Sequence, residues 1–315
     1  MSNIRTQTLK LLPILCASLP FAALGSTNLP TVAGAITTVY ANVTDPICLD
    51  ITDTGMIYVG RDNSGSGGGS GDAVKIHRIG IGGTPVEELG SAIQDPDTVI
   101  VDRTGAISGT PGALLVGGEP GRITKVLNNG TTTLLLNNPV IGNPNGFTFD
   151  LDGRLLFTRY DTGGGAASAG VSAVVGNTPS FLFSLPGAAD IAVDALNRMV
   201  ISSTYVTNLL LYSADGTLLT NNFAPAALNA PLAFSRGGFW GSNIYTVGTT
   251  GQLMRMDLAG NATKVGDGFS NTISMRFGAD EALYLSDFVN DRILKIVPDD
   301  RTFLSIRVSP VEVCW

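Results

Sequence analysis

The sequence predicts an all-β fold, a six-bladed β-propeller of four-stranded antiparallel blades, and three observations carry that prediction. Short hydrophobic hairpins punctuated by Asp, Asn and Gly recur down the chain; the clearest are NPNGFTFDLDGRLLFTR at Asn143–Arg159 and the hairpin within Ile273–Val297. Others lie around Ile47–Arg61, Asp97–Gly118, Ala189–Ser203 and Pro231–Gly248. The residue after each inner hydrophobic pair is Asp50, Asp102, Asp150, Asp194, Ser235 and Gly278, at intervals of 52, 48, 44, 41 and 43 residues. A repeat of that length built wholly from short strands is the signature of a propeller blade. Finally, charged residues make up only 14% of the chain while 39 glycines supply turns, a balance that suits a turn-rich β protein rather than a disordered one.

The elements follow in chain order. Residues 1–25 read as a signal peptide: Arg5 and Lys10 precede the apolar run Leu11–Leu24, and Ala23 and Gly25 are the small residues a signal peptidase reads before Ser26. About 14 apolar residues are too few to span a bilayer. The rest, 26–315, is a single propeller domain with blades at about 44–91, 92–139, 140–185, 186–227, 228–268 and 269–307. Residues 34–40 are the candidate ring-closing strand, with 302–307 competing for that place. Each repeat is a hairpin by its period-two alternation around an Asp/Gly turn, as in Phe147-Thr148-Phe149 before Asp150–Gly153. The anchors Asp50, Asp102, Asp150 and Asp194 read as turn formers. Two glycine-rich runs, 63–72 and 162–170, interrupt the pattern between second and third strands and read as mobile loops.

Without the leader the chain carries 17 basic and 26 acidic side chains, a formal charge of −9, which argues against nucleic acid. Two cysteines then remain. In an oxidising compartment a ring that joins its first and last blades predicts a Cys48–Cys314 disulfide. The expected location is secreted or periplasmic, with no membrane insertion after processing. Three Asn-x-Thr sequences, at Asn42, Asn129 and Asn261, are glycan acceptors only in a eukaryotic secretory route.

A four-stranded meander brings the starts of inner strands and the ends of second strands to one face. That geometry gathers Asp45, Asp97, Asn145 and Asp190 from strand starts. It gathers Arg61, Arg159, Tyr160, Asp161, Tyr205 and Asp287 from second-strand ends, as candidate ligand-binding residues. Arg61 and Arg159 suit a carboxylate or sulfate. The single histidine, His77, excludes a site built on two histidines and reads as an exposed strand residue; Trp240, in a turn-like stretch, reads as exposed.

On these residues the chain resembles the NHL-repeat and SMP-30/gluconolactonase-like group of six-bladed propellers. Asn145-Gly146-Phe147 followed by Asp152-Gly153 is similar to the segment that supplies one metal ligand in those enzymes. Asp190 resembles their later acidic ligand and base, although Ala-Asp-Ile stands where Asp-Gly would match better. Asp97 stands in for a second asparagine, and Thr44-Asp45-Pro46 approximates an N-terminal Glu before Gly-Pro. The resemblance implies a Ca²⁺ ion on Asp45, Asp97, Asn145 and Asp190, with Asp190 as the catalytic base of lactone hydrolysis. Read as plain turn chemistry, the same Asp and Asn residues satisfy backbone donors at strand starts. The primary expectation is therefore an exported propeller that binds a small molecule, peptide or glycan at its channel mouth. A Ca²⁺-dependent lactonase or related hydrolase, and a cell-envelope scaffold, are the alternatives.

Overall fold

The computed structural model describes residues 28–62, 73–137, 142–160 and 169–299. The signal-peptide assignment, the two glycine-rich runs apart from Ala169 and Gly170, the competing strand at 302–307, Asp161 and Cys314 lie outside the described residues. The chain is a six-bladed β-propeller whose sheets are antiparallel meanders. Inner strands are Pro46–Ile51, Thr98–Asp102, Asn143–Phe149, Ala188–Val193, Leu232–Phe234 and Thr272–Phe277, one for each blade in order.

Closure uses the N-terminal strand. Ala35–Asn42 pairs antiparallel with Arg292–Pro298, so the start of the chain supplies the outer strand of blade 6 and leaves the ring without a seam. The short strand Thr31–Val32 adds to Ala262–Asp267, which makes blade 5 five-stranded rather than four-stranded. Pairing these segments satisfies backbone groups that an open edge would expose.

Among the described residues the core is divided into six clusters, each shared by two neighbouring blades. One joins Cys48, Tyr58 and Ile76 of blade 1 to Val99, Val101 and Leu114 of blade 2. The ring is completed by Leu49, Ile51 and Val59 of blade 1 against Tyr284 and Ile293 of blade 6. Alternating apolar residues on both faces of each blade produce this arrangement, because every sheet packs against two others. Apolar burial between blades is thus the main force holding the ring.

Polar locks repeat beside it. Arg154 pairs with Asp150 and donates to Ala214 O in the next blade at 3.0 Å. Arg198 repeats the device with Asp194 and Leu258 O at 2.6 Å. The anchor aspartates do form turns, as Asp102 shows by accepting the backbone N–H groups of Gly105, Ala106, Ile107 and Ser108. Asp50 differs, since its Oδ2 accepts Val101 N–H from blade 2 at 2.7 Å.

The predicted Cys48–Cys314 disulfide is corrected by the structure: Cys48 is a free, buried cysteine. Its Sγ faces the Pro96 carbonyl at 3.4 Å and its side chain packs in the core between blades 1 and 2. Ring closure brings blade 1 beside blade 6, but this thiol points away from that junction. Trp240 is also not exposed. It is buried, and its indole N–H donates to Glu281 O at 2.7 Å.

Candidate functional site

Inner strands bulge midway in blades 1, 3, 4 and 6. In blades 3, 4 and 6 a hydroxyl from the second strand accepts the N–H freed at the bulge: Gly146 to Thr158, Asp190 to Ser202 and Ser274 to Ser286. A bulge re-aims the following side chain. In blade 4 that side chain is Asp190. Its Oδ1 accepts Ile191 N–H and its Oδ2 accepts Leu232 N–H, each at 2.8 Å. Gly146 belongs beside it, because a Cβ there would stand 2.7 Å from Asp190 Oδ1. Gly146 and Asp190 are therefore packed against each other across blades 3 and 4.

The other two metal candidates have charged neighbours of their own. Asp45 has a positive φ of 47°, and its N–H donates to Asp291 Oδ1 at 2.8 Å. Asp97 sits among Asp95, Glu119 and Asp62; burial, then repulsion from those acids, pushes its pKa up to about 8. Among the described residues no group of three His, Cys, Asp or Glu side chains is placed to hold a metal ion. The cation nearest Asp190 is the chain's own: Arg276 Nη1 lies 3.9 Å from Oδ2. Burial raises the Asp190 pKa, while Arg276 and the two backbone N–H groups oppose that rise. A hard cation wants roughly six to eight oxygen ligands. With both oxygens engaged and a guanidinium alongside, these residues do not fit a Ca²⁺ ion.

The ligand-binding candidates separate into buried and exposed groups. Asp287 is buried in an ion pair with Arg292 at 2.7 Å and accepts from Asn290. Arg159 is buried over the Phe181 ring, 4.6 Å from its centroid, and burial lowers its pKa. Arg61 donates to Thr44 O and approaches His77 Nε2 at 3.2 Å. His77 is half-buried rather than exposed; burial first, then Arg61, pushes its pKa down. Tyr205 is exposed, and Tyr160 ends the strand Leu155–Tyr160.

A cavity of about 580 Å³ occupies the channel at the other ends of the inner strands. Its wall carries Phe147 and Phe149 from blade 3, Ile191 and Val193 from blade 4, and Phe234 and Phe277 from blades 5 and 6. Arg103, Arg236, Arg276, Asp50, Asp53 and Glu281 supply charge. Arg103 is held by Asp53 at 2.8 Å and by Ile51 O at 2.5 Å. Arg236 and Glu281 are exposed on the rim. Sequence reasoning placed the candidate site at the opposite mouth. The signal that points here is the loss of the anchor aspartate at Ser235 and Gly278, both of which line the cavity.

No protein-family model matches this sequence, and no curated protein matches it. Solved structures do match. A gluconolactonase of Xanthomonas campestris is 15% identical with a TM-score of 0.65, over 84% of this chain and 90% of that one. Virginiamycin B lyase from Staphylococcus aureus is 13% identical with a TM-score of 0.55, over 84% of this chain and 98% of the other. A streptogramin B lyase is 16% identical with a TM-score of 0.53, over 84% and 97%. At these identities the likeness speaks for architecture alone. The chain is a six-bladed β-propeller that resembles the gluconolactonase and virginiamycin-lyase structural group.

Proposed function

We propose that the protein takes a small polar molecule into the channel from the mouth where Arg236 and Glu281 stand. The cavity itself carries this reading. Its volume lies inside the roughly 300–1,000 Å³ expected of small-molecule sites, and its wall alternates aromatic faces with a few charged groups. Aromatic side chains suit the faces of a ring, and the rim arginine suits a carboxylate or carbonyl oxygen. The opposite mouth offers less: Arg159 and Asp287 are already committed to contacts within the fold.

Trp240 lines the cavity and is one of two tryptophans in the chain, so its fluorescence reports occupancy. Titrating the protein with sugar lactones, small carboxylates and short glycans should give saturable changes. Arg236→Ala should weaken an anionic ligand about tenfold, the equivalent of one charge-assisted contact. Ligands that bind with unchanged affinity to Arg236→Ala and Phe277→Ala would place the site elsewhere and end this reading.

A second reading, hydrolysis of a cyclic ester, is supported by the comparisons, since the similar structures include gluconolactonases. The form of it compatible with these residues relies on a guanidinium, Arg276, to stabilise the carbonyl oxygen as negative charge develops there. The Ca²⁺-dependent form requires an ion beside Asp190. Turnover of a lactone panel before and after chelator treatment separates the two: loss of turnover on chelation and its return with Ca²⁺ would favour the ion.

A further inference from the structure

We infer that Arg276 is the built-in cation of this channel, its guanidinium filling a cage of oxygens that would otherwise require a free ion or water. Arg276 projects from the inner strand of blade 6. Nη1 donates to Met275 O at 2.8 Å and to Leu232 O of blade 5 at 3.1 Å. Nη2 reaches Phe147 O of blade 3 at 3.3 Å. Asp190 of blade 4 contributes the negative charge, 3.9 Å from Nη1. One side chain thus gathers oxygens from four of the six blades.

The reason lies in the architecture. An inner strand is a sheet edge, so part of its backbone faces the axis without a ladder partner. Carbonyls left unpaired there, away from bulk water, each cost free energy. Three carbonyls and a carboxylate form an all-oxygen donor set, which suits a cation. A guanidinium is the inexpensive choice, because it is weakly hydrated and its planar fork offers five N–H donors in fixed directions. Arg276 and Asp190 are both only 17% exposed by side chain, so the pair is screened little by solvent.

Asp190, likened in sequence to a metal ligand, thus faces a guanidinium instead. It also sets a fixed positive charge against the cavity, since Arg276 lines it. Three of the five N–H donors go to the carbonyls.

The test reads stability and cation binding with no cavity ligand present, so its failure is distinct from failure of the small-molecule reading. Arg276→Ala should melt well below wild type. Millimolar methylguanidinium should raise its melting temperature saturably, as a ligand selective for the native state must. The same concentration of urea, neutral and similar in shape, should not, and neither compound should move the wild type. Ca²⁺ serves as a second probe of the vacated cage. If Arg276→Ala does not fold unaided, methylguanidinium should restore the refolding yield, and Arg276→Met supplies a second variant that fills the space without donors. The inference is overturned if Arg276→Ala is as stable as wild type or if its deficit, in melting or in refolding, ignores both methylguanidinium and Ca²⁺. It is equally overturned if Arg276→Met melts at or above wild type.

Discussion

Asp97 makes the stability of the ring depend on pH in a direction opposite to that of most carboxylates. It sits between the outer strand of blade 1, Val86–Gln94, and the inner strand of blade 2, with Asp95, Glu119 and Asp62 as its charged neighbours. Burial and that repulsion raise its pKa to about 8, against about 3.9 in an unfolded chain. The native state therefore holds the proton more tightly than the unfolded state between those values. Stability is highest below about pH 4 as far as this group is concerned, and falls as pH rises toward about 8. A gap of roughly four units at 1.36 kcal/mol each sets a ceiling near 6 kcal/mol. Asp97 is partly solvent-exposed and its acidic neighbours can themselves take up protons, so about 2 kcal/mol is the expected loss across the window. Asp97→Asn keeps the shape and removes the ionisation. Urea denaturation at intervals between about pH 4 and pH 8 should show the variant gaining on wild type as pH rises, with little difference at the acid end. Parallel stability curves for the two proteins would refute the argument, because the slope difference is the only part that the ionisation of Asp97 supplies.

Two further outcomes follow from the packing. Cys48 is buried with its Sγ against the Pro96 carbonyl, and burial pushes its thiol pKa up, so a maleimide should not label it in native protein. Peptide mapping should find that label only after unfolding; labelling at the rate of an unfolded thiol would contradict the placement. Arg198→Ala removes the partner of the fully buried Asp194 carboxylate and the contact to Leu258 O. Breaking such a pair costs about 3–5 kcal/mol when nothing else supports the charge. Leu196 and Arg198 N–H still serve Asp194 Oδ1, so about 2 kcal/mol is expected by urea denaturation, and a change below about 0.5 kcal/mol would falsify the lock.

The architecture was legible because its signals are local. Alternation such as Phe147-Thr148-Phe149 states which side chains face a neighbouring blade, and Asp150–Gly153 states where the chain turns, whatever lies elsewhere. The closing strand was legible only as one of two candidates, and the pairing of Ala35–Asn42 with Arg292–Pro298 is what gives the N-terminal one its place in blade 6. The channel was not. Met275-Arg276-Phe277 reads as one more hairpin strand, and nothing near it in sequence announces that its guanidinium crosses to Phe147, 129 residues away. The disulfide prediction failed for a related reason: adjacency of blades 1 and 6 does not say which way one side chain in blade 1 points. Asn145 and Asp190 were singled out through a family pattern, and Gly146, the residue after Asn145, packs against the aspartate. The same pattern was silent about the arginine that now sits against the aspartate.

The cavity's position follows from where the repeat decays. In blades 2, 3 and 4 the anchor aspartate is buried and fills the end of the inner strand with a hydrogen-bonded turn. Blades 5 and 6 have Ser235 and Gly278 there, and Arg236, Gly237, Gly238, Ala279 and Glu281 after them line the cavity. Gly278 is tightly placed, since a Cβ would meet Ile51 Cδ1 at 3.1 Å. Small residues at these two positions thus remove the turn-forming carboxylate from the channel end and leave the space to whatever binds there. Three blades spend their anchor position on a turn in this sense, Asp50 of blade 1 instead accepts Val101 N–H beside the cavity, and the two degenerate blades release the position. The least regular part of the sequence is then the part that shapes the site.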